Sequence, residues 1–100
     1  MTRREQQILD SILDILKGYL HPSRIILFGS RGKGIAAISS DFDLAVRCEK
    51  ADESLKRKVK DEIEEVSGLY RVDVVYLNEV EEEFKEIILE SGRLVYVQGT

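Results

Sequence analysis

A small α/β (α+β) domain, built on a mixed β-sheet with helices packed against it, is the fold class this sequence predicts. Three observations carry that expectation. Short apolar segments of strand length alternate with amphipathic stretches of helical period along the whole chain. The connection between the first two strand-like segments is too short for a full crossover helix, so those two strands are expected to run antiparallel within a mixed sheet. The chain has 100 residues, 43% of them hydrophobic, which suits one domain over 1–100 with a modest core.

The first element is a helix from about Arg3 to Tyr19. Thr2 and Glu5 have the spacing of a capping box, and Leu9, Ile12, Leu13, Leu16 and Leu20 recur at helical period. His21-Pro22 stops it, because the residue before a proline avoids the α region. Arg24 to Phe28 reads as a buried strand, and Gly29 to Ser40 as a loop with a short helix. Asp41 to Arg47 alternates, with Phe42, Leu44 and Val46 against Asp41, Asp43 and Ala45, the period of a second strand. Asp52 to Ser67 is a helix with Leu55, Val59, Ile63 and Val66 on one face and Gly68 as its C-terminal cap. Its charged face is expected to carry i,i+4 pairs such as Lys58 with Glu62. Arg71 to Leu77 is the third strand. Asn78 and Glu81 are expected to cap a last helix with Val80, Phe84, Ile87 and Ile88 as its stripe. Gly92 ends that helix, and Leu94 to Val97 forms an edge strand.

Charge and cysteine content narrow the function classes. With 15 basic and 19 acidic residues the net charge is −4, which argues against broad nucleic-acid binding. A local basic spot is expected around Arg31 and Lys33. The single cysteine, Cys48, excludes an intramolecular disulfide and fits a reducing cytoplasm. No apolar run approaches the length of a membrane span. The first residues turn helical and acidic too soon for a signal peptide. A cytoplasmic protein with no membrane association is the expectation.

Two short motifs carry the chemistry. Gly29-Ser30 closes the first strand. Glycine permits close backbone approach, and backbone N–H groups at such a turn bind phosphate oxygens. Ser30 adds a hydroxyl donor, and Arg31 and Lys33 add positive charge. Ten residues later, Asp41 and Asp43 flank Phe42 at the start of a strand, so the two carboxylates share a face and Phe42 points the other way. Paired carboxylates repel unless cations occupy the site. Magnesium suits it, since it takes oxygen ligands from one or two carboxylates and substrate phosphates. Asp73, within Val72-Asp73-Val74-Val75-Tyr76, supplies a third carboxylate if its strand lies beside the second. Three carboxylates can then hold two ions about 3.5–4 Å apart for an in-line displacement. The plainer alternative for each motif is a glycine turn, a solvated strand start, and an Asp73 paired with Arg71.

Phe28-Gly29-Ser30-Arg31, Gly34 and Ser40-Asp41-Phe42-Asp43-Leu44-Ala45-Val46, followed by Val72-Asp73-Val74-Val75, resemble the signature of the minimal nucleotidyltransferases (MNT). These belong to the DNA polymerase β-like superfamily, whose pattern is Gly-Ser, ten residues, Asp-x-Asp. The resemblance covers nearly the whole chain. The family pattern often carries a second arginine where this chain has Lys33, which keeps the charge but loses bidentate phosphate contact. The resemblance implies a polymerase β-like nucleotidyltransferase fold. It assigns Gly29, Ser30 and Arg31 to the nucleotide, and Asp41, Asp43 and Asp73 to two Mg2+ ions, with Asp73 also helping to deprotonate the attacking hydroxyl.

It further implies a partner. Small members of this family are often antitoxins encoded beside a helical HEPN toxin, and several transfer AMP from ATP to a tyrosine of that toxin. The expected activity is therefore protein AMPylation with ATP as substrate. Two other readings stand beside it: neutralisation of the partner by binding alone, and nucleotidyl transfer to a small molecule. Larger relatives that modify antibiotics carry an added domain for the acceptor. The acceptor site here is expected on another protein or on a second copy in a homo-oligomer. The apolar tail Leu94-Val95-Tyr96-Val97 can pair as an edge strand.

Overall fold

The computed structural model describes residues 1–32 and 41–99. Lys33, Gly34 and Ser40 lie outside the described residues. The elements run α1 (Arg3–Leu20), β1 (Arg24–Phe28), α2 (Gly29–Gly32), β2 (Phe42–Arg47), α3 (Glu53–Ser67), β3 (Val72–Tyr76), a 3-10 turn (Leu77–Glu79), α4 (Glu82–Ser91) and β4 (Arg93–Val97). The four strands form one sheet in the order β3-β2-β1-β4. β1 is antiparallel to both β2 and β4, while β2 and β3 are parallel. The mixed sheet expected from the short β1–β2 connection is thus present, and β3 lies beside β2.

The capping box at the start of α1 forms as its spacing predicts. Thr2 Oγ1 accepts from the Glu5 N–H at 3.1 Å, and Glu5 Oε1 accepts from the Thr2 N–H at 2.8 Å. The buried stripe is Ile8, Leu9, Ile12, Leu16 and Leu20, with Leu13 only half-buried. His21 ends the helix in the left-handed region, φ 46°, its N–H donating to the Lys17 carbonyl. At α3, Asp52 Oδ1 accepts from the Leu55 N–H at 2.8 Å, and Gly68 takes the positive φ of the cap.

Two cores follow from the two faces of the sheet. On one face α1 and α3 bury Leu9, Ile12, Leu16, Val59 and Ile63 against Ile25, Leu27, Phe42, Leu44 and Val46. On the other, Ile26 and Ala45 meet Leu77 and Ile88. The alternation along β2 decides which residue goes where: even positions enter the larger core, and Asp43 and Ala45 turn to the α4 side.

Three local expectations are corrected. Asn78 does not cap α4: its Nδ2 donates to the Cys48 carbonyl at 2.6 Å, and Glu81 precedes the helix without a side-chain cap bond. The 3-10 turn takes the chain off helical period before Glu82. As a result Ile88 alone of the expected stripe is buried, while Phe84 and Ile87 are 39% and 59% exposed. No Lys58–Glu62 pair is found among the described residues. Glu62 instead accepts from the Tyr19 hydroxyl at 2.8 Å, and Lys56 bridges to Glu79 and Glu53. Among the described residues no helix is long and apolar enough to cross a membrane.

Glu5 is buried, and its carboxyl is held down to about 2 from an ordinary 4.5. The Thr2 backbone N–H is the largest cause and the Arg31 guanidinium the next. A depressed carboxyl stabilises the fold above its unfolded pKa and loses that contribution as pH falls through the folded value. Chemical denaturation is therefore expected to show stability falling between pH 4.5 and about 2, with a shallower fall in Glu5→Gln. In the larger core, Ile12→Ala is expected to cost about 2–5 kcal/mol. On the loosely packed helix, Ile87→Ser is expected to change stability by no more than about 0.5 kcal/mol in the same assay.

Candidate active site

β1 ends at Phe28, and its register partner on β2 is Asp43. Asp43 in turn is the register partner of Asp73 on β3. One cross-strand row therefore runs Phe28, Asp43, Asp73 across three strands. Asp43 precedes Ala45 by two residues and Asp73 precedes Val75 by two, so both carboxylates lie on the α4 side of the sheet. Phe28 meets Phe84 of α4 edge-on at 5.9 Å, which closes the floor beside them.

Gly29 follows Phe28 directly and opens α2 with φ +67°. A Cβ built on it would lie 2.5 Å from Asp43 Oδ2. Glycine is needed there for two reasons: the left-handed backbone, which other residues adopt at a cost, and the carboxylate pressed against it. At the end of the same turn, a Cβ on Gly32 would collide with the Leu27 carbonyl oxygen. The two motifs that are separate in sequence are thus in contact in space.

The carboxylates do not share one environment. Asp43 is half-buried, and its pKa is raised, by desolvation first and then by the charges of Asp73 and Asp41. Asp41 sits just before β2 and is half-buried. Asp73 is less buried than its apolar neighbours in sequence suggest: β3 is an edge strand, the Asp73 side chain is 47% exposed, and Arg71 Nε stands 3.7 Å from it. The pairing with Arg71 considered from sequence is therefore present, as an exposed contact of small energetic weight.

Magnesium is commonly held by one or two carboxylates together with substrate phosphates and water. The residue types suit it: Asp41, Asp43 and Asp73 all offer oxygen donors, and the Asp43 pKa is raised by burial first and then by the charges of the other two. Among the described residues no group of three acidic, histidine or cysteine side chains is close enough to hold an ion unaided. A groove of about 540 Å3 runs between α3 and β3, lined by Val59, Ile63, Tyr70, Val74 and Tyr76 and reaching Asp73. It opens on the α3 side of the sheet, whereas Asp43 lies on the α4 side, so only Asp73 belongs to both.

Arg31 is the site residue whose location differs most from its sequence expectation. Its side chain is 2% exposed, and Nη2 donates to Glu5 Oε2 at 2.8 Å. The guanidinium stacks over the Phe42 ring at 4.1 Å and faces Tyr70 at 5.5 Å. The basic surface spot expected at Arg31 is therefore replaced by a buried cation. Glu5 and Tyr70 are the residues that sequence reasoning missed. Glu5 signalled only a helix cap, and nothing around Tyr70 pointed to Arg31.

The family described as polymerase beta, nucleotidyltransferase matches residues 10–99. No curated protein matches the sequence at a significant level. Among solved structures, a toxin–antitoxin complex with AMP-PNP superposes with a TM-score of 0.77 at 21% identity, covering 89% of this chain and 73% of the other. A tri-AMPylated Shewanella oneidensis HEPN toxin in complex with its MNT antitoxin gives 0.73 at 19% identity, over 93% and 72%. A protein solved as a candidate minimal nucleotidyltransferase gives 0.69 at 23% identity, over 92% and 95%. At these identities the likeness is one of fold, and it matches the mixed sheet and the helices described above.

Two outcomes follow from the Gly29–Asp43 contact. Gly29→Ala is expected to cost at least about 1–2 kcal/mol from the backbone alone, measured by urea denaturation, with further loss from the collision. Asp43→Asn is expected to raise the melting temperature of the metal-free protein, because the wild-type carboxylate is partly desolvated and is also repelled by Asp73 and Asp41. A raised carboxyl pKa destabilises the fold at neutral pH and is relieved as pH falls through it, so the gain should shrink in acid.

Proposed function

The chain belongs to the polymerase β nucleotidyltransferase family, and from that premise we propose that it is an antitoxin that transfers AMP from ATP to a hydroxyl, a tyrosine's, on a partner HEPN toxin. The observation that carries the reading is the contact of Gly29 with Asp43, itself in register with Asp73. It joins a phosphate-binding turn to a row of carboxylates. The structural neighbours described with AMP-PNP and with an AMPylated HEPN toxin support the choice of nucleotide and partner.

In this reading the backbone of the Gly29–Ser30 turn takes the triphosphate, and the missing Cβ lets the phosphates approach. Asp41, Asp43 and Asp73 are the residues that would hold Mg2+, which would supply charge neutralisation for the phosphates, the main electrostatic requirement of such a transfer. Asp73, half exposed on the edge strand, is open to an acceptor and receives its hydroxyl proton. The acceptor oxygen forms a bond to the α-phosphorus as the bond from that phosphorus to the α–β bridging oxygen breaks, and pyrophosphate leaves. Positioning of the two reactants supplies much of the rate.

Neutralisation by binding alone is favoured by one observation, the Arg71–Asp73 contact, which places a cation 3.7 Å from one oxygen of the third carboxylate. The two readings separate in one experiment. The protein is incubated with ATP, Mg2+ and the HEPN protein encoded beside it, and the partner is weighed by mass spectrometry. A gain of AMP on a tyrosine is expected, falling at least about 10²-fold in Asp43→Asn. A partner that forms the complex yet gains no AMP would sink the transfer reading. Neutralisation that survives Asp41→Ala/Asp43→Ala at equal expression would establish binding alone.

A further inference from the structure

Arg31 follows the Gly29-Ser30 pair directly and is one of three buried polar or charged residues among those described, with Glu5 and Ser67. A buried guanidinium has to be matched by a charge and by good geometry, or its desolvation is not offset. Here the match comes from three separate elements. Glu5, in the first turn of α1, uses both carboxylate oxygens: Oε1 takes the Thr2 N–H and Oε2 takes Arg31 Nη2, each at 2.8 Å. Phe42, the residue between Asp41 and Asp43, presents its ring to the guanidinium with its centroid 4.1 Å from Cζ, within cation–π range. Tyr70, just before β3, meets the Phe42 ring edge-on at 5.6 Å, and the Phe42 N–H donates to the Arg71 carbonyl at 2.9 Å.

We infer that Arg31 is a positioning residue: its buried pair with Glu5 and its stack on Phe42 hold the Gly29–Gly32 turn in register with the Asp41-Phe42-Asp43 carboxylates. The first turn of α1 is thereby part of the site's support. The turn lies close against the carboxylate, since a Cβ built on Gly29 would stand 2.5 Å from Asp43 Oδ2. A planar cation with five donors can pair sideways with Glu5 and stack flat on Phe42 at once. The nucleotide part of this inference rests on the function proposed above; the anchoring part does not.

The test is a double-mutant cycle on Glu5→Gln and Arg31→Lys, read by affinity for the non-hydrolysable analogue AMP-PNP with Mg2+, beside amide hydrogen exchange of the nucleotide-free protein. Glu5→Gln is expected to weaken AMP-PNP binding about tenfold, the scale of one charge-assisted hydrogen bond. The double variant is expected to bind no more weakly than Arg31→Lys alone. Exchange is expected to quicken at Gly29–Gly32 and Asp41–Asp43 while the amides of Ile25 and Leu44 keep their protection, which general destabilisation would not produce. If Glu5→Gln leaves affinity unchanged, or the two losses add, Arg31 acts on phosphate directly and the inference fails. If the wild-type protein binds no AMP-PNP, the nucleotide reading fails instead. The anchoring is then judged on exchange alone, where unchanged rates at Gly29–Gly32 overturn it. Should Glu5→Gln not fold, Glu5→Asp, which keeps the charge and shortens the reach, is measured in its place against the same outcomes.

Discussion

The period-two alternation of β2 is the constraint on which the rest of this structure depends. β2 lies between β1 and β3, so its register positions both neighbours. A slip of one residue would turn Asp43 into the core and Phe42 out of it. Phe42, Leu44 and Val46 are all fully buried beneath α1 and α3, which makes such a slip prohibitive. The same alternation leaves Asp43 on the opposite face, in line with Phe28 and Asp73. Core packing on one side of the strand therefore fixes the chemistry on the other.

A second interaction transmits that order to the Gly29–Gly32 turn. β1 delivers Gly29 to the carboxylate row, but α2 is only four residues long and has little internal bonding to hold itself. The buried cation of Arg31 supplies what the turn lacks. It connects α2 to the start of α1 through Glu5 and to β2 through Phe42. The arrangement is dry at the anchor and wet at the site: Arg31 and Glu5 are buried, whereas Asp73 stands half exposed on an edge strand. Such a division suits the proposed transfer, in which the site keeps its shape while a nucleotide and an acceptor enter and leave.

Much of this was legible in the residues. The alternation around Asp41 and Asp43, the apolar stripe of α1 and its Thr2–Glu5 capping box are local signals, read within one element. The conditional placement of Asp73 beside β2 needed only one further assumption, that consecutive βαβ elements pair in parallel. The misreadings occurred where a residue's partner is distant in sequence. Asn78 looks like a helix cap but finds the Cys48 carbonyl 30 residues back. Glu62 looks like half of an i,i+4 pair but meets Tyr19, 43 residues away. Asp73 looks buried because its neighbours are apolar, but β3 has no further strand beyond it.

By itself, then, the sequence determined the main elements, the faces of α1, α3 and β2, and the spacing of a glycine turn from an Asp-x-Asp strand, because hydrophobic period, caps and turn residues act within a few residues of themselves. Only the tertiary structure decided what Arg31 does. From its place beside Gly29-Ser30 and Lys33 it reads as a phosphate-facing charge. In the fold it is enclosed by α1, β2 and the segment before β3, three elements whose meeting no local pattern encodes. It pairs with Glu5, 26 positions earlier in the chain, and a buried cation needs a matching charge where it lies.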